Sequence, residues 1–177
     1  GLERDAAGLR LLAEILPELI VAASCSKNMG LYRERVGAAL FICRDESNAQ
    51  ALVSQALVAA RRVYSMPPAH GAIIAGRILS DDSLEQLWRT ELVDMCGRIN
   101  GLRSTLREKL ESASGRDFAF IEQEKGMFSF LGLSAEQAIE LREKHSVYML
   151  DSSRINVAGV NARNIDYLAN AVASVLR

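Results

Sequence analysis

Leu19-Ile20-Val21-Ala22-Ala23 runs directly into the polar segment Ser24-Cys25-Ser26-Lys27-Asn28, and the apolar pattern resumes at Val36-Gly37-Ala38-Ala39-Leu40-Phe41-Ile42-Cys43. An unbroken apolar run of this length reads as a strand buried on both faces, and the polar break with Gly30 reads as the loop that ends it. After Asp45 an Ala-, Leu- and Val-rich stretch continues to Arg62 at helical spacing with few breakers. Strand, loop, strand and helix predict an α/β layer. Upstream, Leu9, Leu12, Ile15 and Leu16 predict a short helix that Pro17 ends. Downstream, Tyr64-Ser65-Met66-Pro67-Pro68 interrupts the helix, which restarts over His70 to Leu79.

From Asp81 the apolar positions Leu84, Leu87, Trp88, Leu92, Met95, Ile99, Leu102, Leu106 and Leu110 recur at steps of three or four. They form one stripe over about eight turns, a single long helix from about residue 81 to 112 that is suited to join two domains. Beyond Gly115, Phe118 to Ile121 and Met127 to Phe130 flank a Glu-Lys-Gly turn and predict a hairpin. Ser134 with Gln137 is a capping-box start for a helix to about Lys144. Val147 to Leu150 and Arg154 to Ala158 are expected to be short strands, and Asn164 to Arg177 a final amphipathic helix.

The 177 residues hold 21 Lys+Arg against 22 Asp+Glu, a formal net charge of −1, and 49% of positions are apolar. This is the composition of a globular chain with a sizeable core, and it supplies no basic field for nucleic acid or an anionic membrane. No apolar run approaches the roughly 18 residues a membrane span needs. Three cysteines, Cys25, Cys43 and Cys96, form no CxxC pair and only His70 and His145 accompany them. A disulfide framework and a Cys/His metal site are both disfavoured, so no metal is expected and a reducing cytoplasmic setting fits best. The chain opens at Gly1 without methionine or a signal pattern, and a missing N-terminal portion is expected.

Lys27 lies just past a buried strand, beside two hydroxyls and eight residues before Arg35. A lysine drawn into a low-dielectric pocket becomes a nucleophilic amine able to form a Schiff base with an aldehyde. Ser24, Ser26 and Arg35 have the chemistry to hold a phosphate at the same place. The same residues also read as an ordinary solvated charge run. Arg61 and Arg62 equally suit the end of a helix, where cations complement the dipole. Arg154 equally suits an exposed strand position, Phe128 and Phe130 a core, and the two histidines packing or surface.

Ser24-Cys-Ser-Lys-Asn-Met-Gly-Leu-Tyr-Arg-Glu-Arg-Val-Gly37 resembles the lysine segment of the aspartate and aromatic amino acid aminotransferases, class I pyridoxal-phosphate enzymes. Tyr64-Ser-Met-Pro-Pro-Ala-His-Gly71, Gly126-Met-Phe-Ser-Phe130 and Ser153-Arg-Ile-Asn-Val-Ala-Gly159 match that family in the same order. The resemblance implies the α/β pyridoxal-phosphate-dependent transferase fold: the end of the large cofactor-binding domain over residues 1–90, then the small C-terminal α+β domain over 91–177. It implies pyridoxal 5'-phosphate as cofactor, Lys27 as the catalytic lysine, and Ser24, Ser26 and Arg35 around the cofactor phosphate. Arg154 is implied to grip the substrate α-carboxylate. Arg61 would reach a partner subunit's site to pair with a side-chain carboxylate, Ser65 would lie near that boundary, and Phe128 would wall the pocket. A cytoplasmic homodimer with shared active sites is implied, moving the amino group of an aromatic or acidic L-amino acid to a 2-oxo acid such as 2-oxoglutarate.

Three departures stand out: Cys25 where an aromatic residue is frequent, Met29 where phenylalanine is common, and Ser153 where glycine usually precedes the carboxylate-binding arginine. The family's chain is more than twice as long, and its partner for the pyridine nitrogen precedes the position of Gly1. These 177 residues alone are therefore expected to be poorly stable and nearly inactive. Two alternatives are another pyridoxal-phosphate reaction on the same fold, such as elimination or decarboxylation, and a non-catalytic α/β module.

Overall fold

In the computed structural model, which describes residues 1–177, the chain divides into two units, Gly1–Val93 and Asp94–Arg177. The first unit opens with α1 (Leu2–Ile15), after which Leu16 is already extended ahead of Pro17. Strands β1 (Leu19–Ser24) and β2 (Gly37–Ile42) pair antiparallel, from Leu19↔Ile42 to Ser24↔Gly37. Asp45 caps α2 (Glu46–Tyr64) by accepting the Asn48 N–H at 2.8 Å. The helix ends at Ser65, whose φ of +62° takes the chain out of the helical path before the Pro67-Pro68 pair. After α3 (His70–Leu79), Asp81 starts α4 (Asp82–Ser114) by accepting N–H bonds from Ser83 and Leu84. The Ser83 hydroxyl first, and the Leu84 N–H second, hold the Asp81 carboxyl below its ordinary range.

The expectation that β1 and β2 are buried on both faces is corrected. No residue of either strand is buried, and Ile20 is 67% exposed. A two-stranded sheet with a helix against it has no second layer for its other face. Only Gly71 and Ala75 are buried among residues 1–93.

Helix α4 begins in the first unit and ends in the second, where Leu106 and Leu110 enter a closed core with Phe118, Ile121, Leu141 and Val172. Around this core stand α5 (Phe120–Gln123), β3 (Phe128–Phe130), α6 (Ala135–His145), β4 (Arg154–Asn156) and α7 (Ile165–Val175). The capping box of α6 is formed: Ser134 accepts from the Gln137 N–H while the Gln137 side chain accepts from the Ser134 N–H.

The hairpin expected between Phe118–Ile121 and Met127–Phe130 is absent. Phe118 and Ile121, three apart, both face the core and initiate α5, with Asp117 accepting the Ala119 N–H at 2.7 Å. Strand β3 pairs instead with β4, antiparallel, in the register Phe128↔Asn156 to Phe130↔Arg154. Val147 to Leu150 forms no strand, and Val157–Gly159 turns as a 3-10 helix directly after β4.

Candidate active site

The β1–β2 hairpin explains the lysine loop. Its last register pair, Ser24↔Gly37, closes the segment 25–36, and the Cys25 N–H donates to Val36 O at 3.0 Å. A Cβ at position 37 would stand 2.2 Å from Ala23 O, so this approach requires glycine. Inside the loop, the Ser24 hydroxyl donates to Ser26 Oγ at 2.9 Å and accepts the Ser26 N–H at 3.1 Å. Gly30 turns the chain at φ +67°. Arg35 sits at φ +50° with its guanidinium donating to Tyr32 O at 3.0 Å. Lys27 Nζ stands 4.3 Å from the centre of the Tyr32 ring, a cation–π contact. The expected dry pocket is not formed around the amine: Lys27 is exposed.

Two contacts that sequence reasoning missed brace this loop. The Trp88 indole N–H on α4 donates to Asn28 O at 2.8 Å, next to Lys27. His70 Nδ1 at the start of α3 meets Glu34 Oε2 at 2.8 Å. Trp88 had been legible only as a member of the apolar stripe, and His70 only as a packing or surface residue. Arg61 and Ser65 are exposed at the end of α2, where Arg61 O accepts the Ser65 N–H at 3.0 Å.

In the second unit the β3–β4 pairing brings Phe128 and Arg154 together, with the guanidinium carbon 4.9 Å from the ring centre. Both side chains are exposed. Arg154 takes part in none of the salt bridges formed among the side chains of the chain, so its charge is available to an external anion. Ser153, which precedes it, is 2% exposed and adopts φ +61°, the region glycine favours. Its hydroxyl accepts the Gly132 N–H at 3.1 Å, an interaction glycine lacks.

A further missed residue is Arg103. It is 2% exposed and donates to Glu124 Oε2 and to three backbone carbonyls, those of Ile121, Gly126 and Phe128. The signal was present: Arg103 falls on the apolar stripe of α4, four residues after Ile99 and three before Leu106. A charge at a core-facing position demands internal partners. No group of His, Cys, Asp and Glu side chains has the arrangement to hold a metal ion. No helix is long and apolar enough to cross a membrane.

Pyridoxal 5'-phosphate fits the chemistry of the loop. An amine for the aldehyde, two adjoining hydroxyls and a guanidinium for the phosphate all belong to one hairpin-closed segment.

Comparison with known proteins agrees over nearly the whole chain. The profile of the family described as aminotransferase class I and II matches residues 1–172. Aspartate aminotransferase of Escherichia coli is 48% identical over 99% of this chain and 45% of its own length. The aromatic-amino-acid aminotransferase of Pseudomonas aeruginosa is 46% identical over 99% and 44% respectively. Among solved structures, a Burkholderia pseudomallei aromatic-amino-acid aminotransferase covalently bound to pyridoxal phosphate superposes with a TM-score of 0.94 at 41% identity, covering 100% of this chain and 45% of that one. A mitochondrial aspartate aminotransferase from Trypanosoma brucei gives 0.95 at 38% identity, covering 100% and 47%. The chain thus spans less than half the length of the relatives it matches. Over that span its α/β architecture is that of the pyridoxal-phosphate-dependent aminotransferases, and the chain belongs to the aminotransferase class I and II family.

Proposed function

We propose that the protein is a pyridoxal-phosphate-dependent aminotransferase that passes the amino group of an acidic or aromatic L-amino acid to a 2-oxo acid. One observation carries the reading: the hairpin closed at Ser24↔Gly37 holds Ser24, Ser26, Lys27 and Arg35 on a single loop. When bound, the coenzyme supplies an electron sink for negative charge at the substrate's α-carbon. Lys27 Nζ supplies the amine that anchors the coenzyme and then the base that takes the α-proton and returns it at the other end of the transfer. Ser24 and Ser26 offer hydroxyl donors, and Arg35 a fixed positive charge, to the phosphate. Arg154, steadied by the Phe128 face, binds the α-carboxylate. Arg61 and Ser65 serve the neighbouring site of a homodimer, Arg61 pairing with the second carboxylate of an acidic substrate. In this reading residues 1–90 belong to the large cofactor-binding domain and 91–177 to the small one, and the protein works in the cytoplasm.

Adding pyridoxal phosphate to the intact protein tests this. A visible absorbance band is expected, fixed by borohydride, mapped to Lys27 and lost in Lys27→Ala; no adduct at Lys27 refutes the proposal and favours the non-catalytic module. Exchange of the amino group with 2-oxoglutarate distinguishes transamination from elimination or decarboxylation, and an enzyme that does not exchange with dicarboxylic acids has less use for a second cation at Arg61.

A further inference from the structure

The contacts of Arg103 all go to the segment that carries Phe128. Nη1 donates to Ile121 O at 2.9 Å and Glu124 Oε2 at 3.1 Å, and Nη2 to Gly126 O at 2.9 Å and Phe128 O at 2.6 Å. Nε, also buried, has no hydrogen-bond partner, so the guanidinium is turned toward this segment rather than toward its own full satisfaction. Glu124 extends the grip: it accepts from the Ser129 hydroxyl and, through Oε1, from the Phe130 N–H at 3.2 Å. One ion pair therefore holds both ends of β3, Phe128 by its carbonyl and Phe130 by its N–H. The strand's pairing with β4 places Phe130 opposite Arg154, and the Phe128 ring lies 4.9 Å from the Arg154 guanidinium carbon.

We propose that Arg103 is a positioning residue: with Glu124 it fixes β3 so that the Phe128 ring seats Arg154 for a substrate carboxylate. This rests on the reading of Arg154 as the carboxylate-binding residue. The buried guanidinium makes no contact with substrate; it acts through the strand. Its planar fork reaches four acceptors at once, a geometry that the single ammonium of lysine cannot reproduce.

The test is titration calorimetry of the intact protein with succinate, a dicarboxylate that has no amino group to react. Arg154→Ala is the control for the underlying reading. Arg103→Lys, which keeps charge and stem, is expected to weaken succinate binding about tenfold. In the double variant with Phe128→Leu the two losses are expected not to add, because both act on one seat. Binding lost in Arg154→Ala but unchanged in Arg103→Lys overturns the proposal alone. Binding unchanged in Arg154→Ala overturns both readings. Losses that simply add in the double variant show a general structural role and also overturn it. Should Arg103→Lys fail to fold, Glu124→Gln decides by the same cycle, and affinity within about twofold of the parent counts against the proposal.

Discussion

Ser153 offers a quantitative check on how the entry to the strand that carries Arg154 is built. At φ +61° an L-residue is disfavoured by roughly 1–2 kcal/mol, which glycine escapes. Against this, the Ser153 hydroxyl accepts the Gly132 N–H at 3.1 Å, worth about 1 kcal/mol net. Ser153→Ala keeps the strain and loses the hydrogen bond, so it should destabilise by about 1 kcal/mol, Gly132 being exposed enough for water to replace the acceptor. Ser153→Gly loses the same bond and adds roughly 0.5–1 kcal/mol of chain entropy, but it recovers the strain, so the net change should lie within about 1 kcal/mol of zero. Ser153→Val, β-branched at a positive φ, should be the least stable of the three. The expected order is therefore Gly near Ser, then Ala, then Val. Urea unfolding of the intact proteins, read as a midpoint shift at constant slope, measures it. A glycine variant less stable than the alanine variant would refute the strain argument, and an alanine variant as stable as the parent would refute the hydrogen-bond argument.

Gly37→Ala drives a Cβ to 2.2 Å from Ala23 O, against main chain that cannot yield, and should destabilise the hairpin by about 3 kcal/mol or more; an unchanged urea midpoint contradicts it. Asp81, held below its ordinary pKa by the Ser83 hydroxyl and the Leu84 N–H, contributes stability that is full above the unfolded carboxyl's pKa and is lost as pH falls through the lower folded value. The protection of the Ser83 and Leu84 amides, measured as exchange relative to the intrinsic rate at each pH, should therefore fall on acidification in the parent and stay constant with pH in Asp81→Asn. If Arg61 pairs with a second carboxylate, Arg61→Leu lowers kcat/KM for aspartate by about 10–100-fold and leaves tyrosine nearly unaffected, the worth of one charge-assisted bond. Equal losses for both substrates exclude that role.

Strands β1 and β2, the long helix and the lysine loop were legible because each depends on a local pattern: a continuous apolar run, a stripe at steps of three and four, a polar break with a glycine. The end of α2 at Tyr64 and the capping box at Ser134 were legible for the same reason, being written within a few residues. The pairing of β3 was not. Phe118, Phe120, Phe128 and Phe130 alternate as well as any hairpin, and what decides against it is a remote residue, Arg103, some twenty residues upstream, which together with Glu124 of the turn itself occupies the backbone groups that a hairpin would use. Ser153 shows the converse. A departure visible in the sequence, serine where the resembled family usually has glycine, gives no hint of its partner, and the structure shows the hydroxyl accepting from Gly132.

The lysine loop of the first unit and the Phe128 and Arg154 pair of the second are stabilised by different physics. Arg154 and Phe128 stand on a closed core in which Leu106, Leu110 and Ile121 are fully enclosed, so their placement follows from burial. The lysine loop has no such core beneath it, with Ile20 67% and Leu40 50% exposed in the strands that carry it. Its shape comes from short-range constraints: the Ala23–Gly37 approach, the Trp88 bond to Asn28 O, and Gly71, where a Cβ would meet Glu34 Cβ at 2.6 Å. The apolar pattern of β1 and β2 is thus richer than these 177 residues require, since a solvated strand face has no use for Ile20 or Leu40. Truncating Ile20 to alanine removes little burial here and should hardly alter stability in this chain, whereas the same change in Leu106 opens a cavity costing about 2–5 kcal/mol. A stability map of the two residues therefore measures how much surface covers the hairpin: once both strand faces are packed, the cost at Ile20 should rise toward that at Leu106.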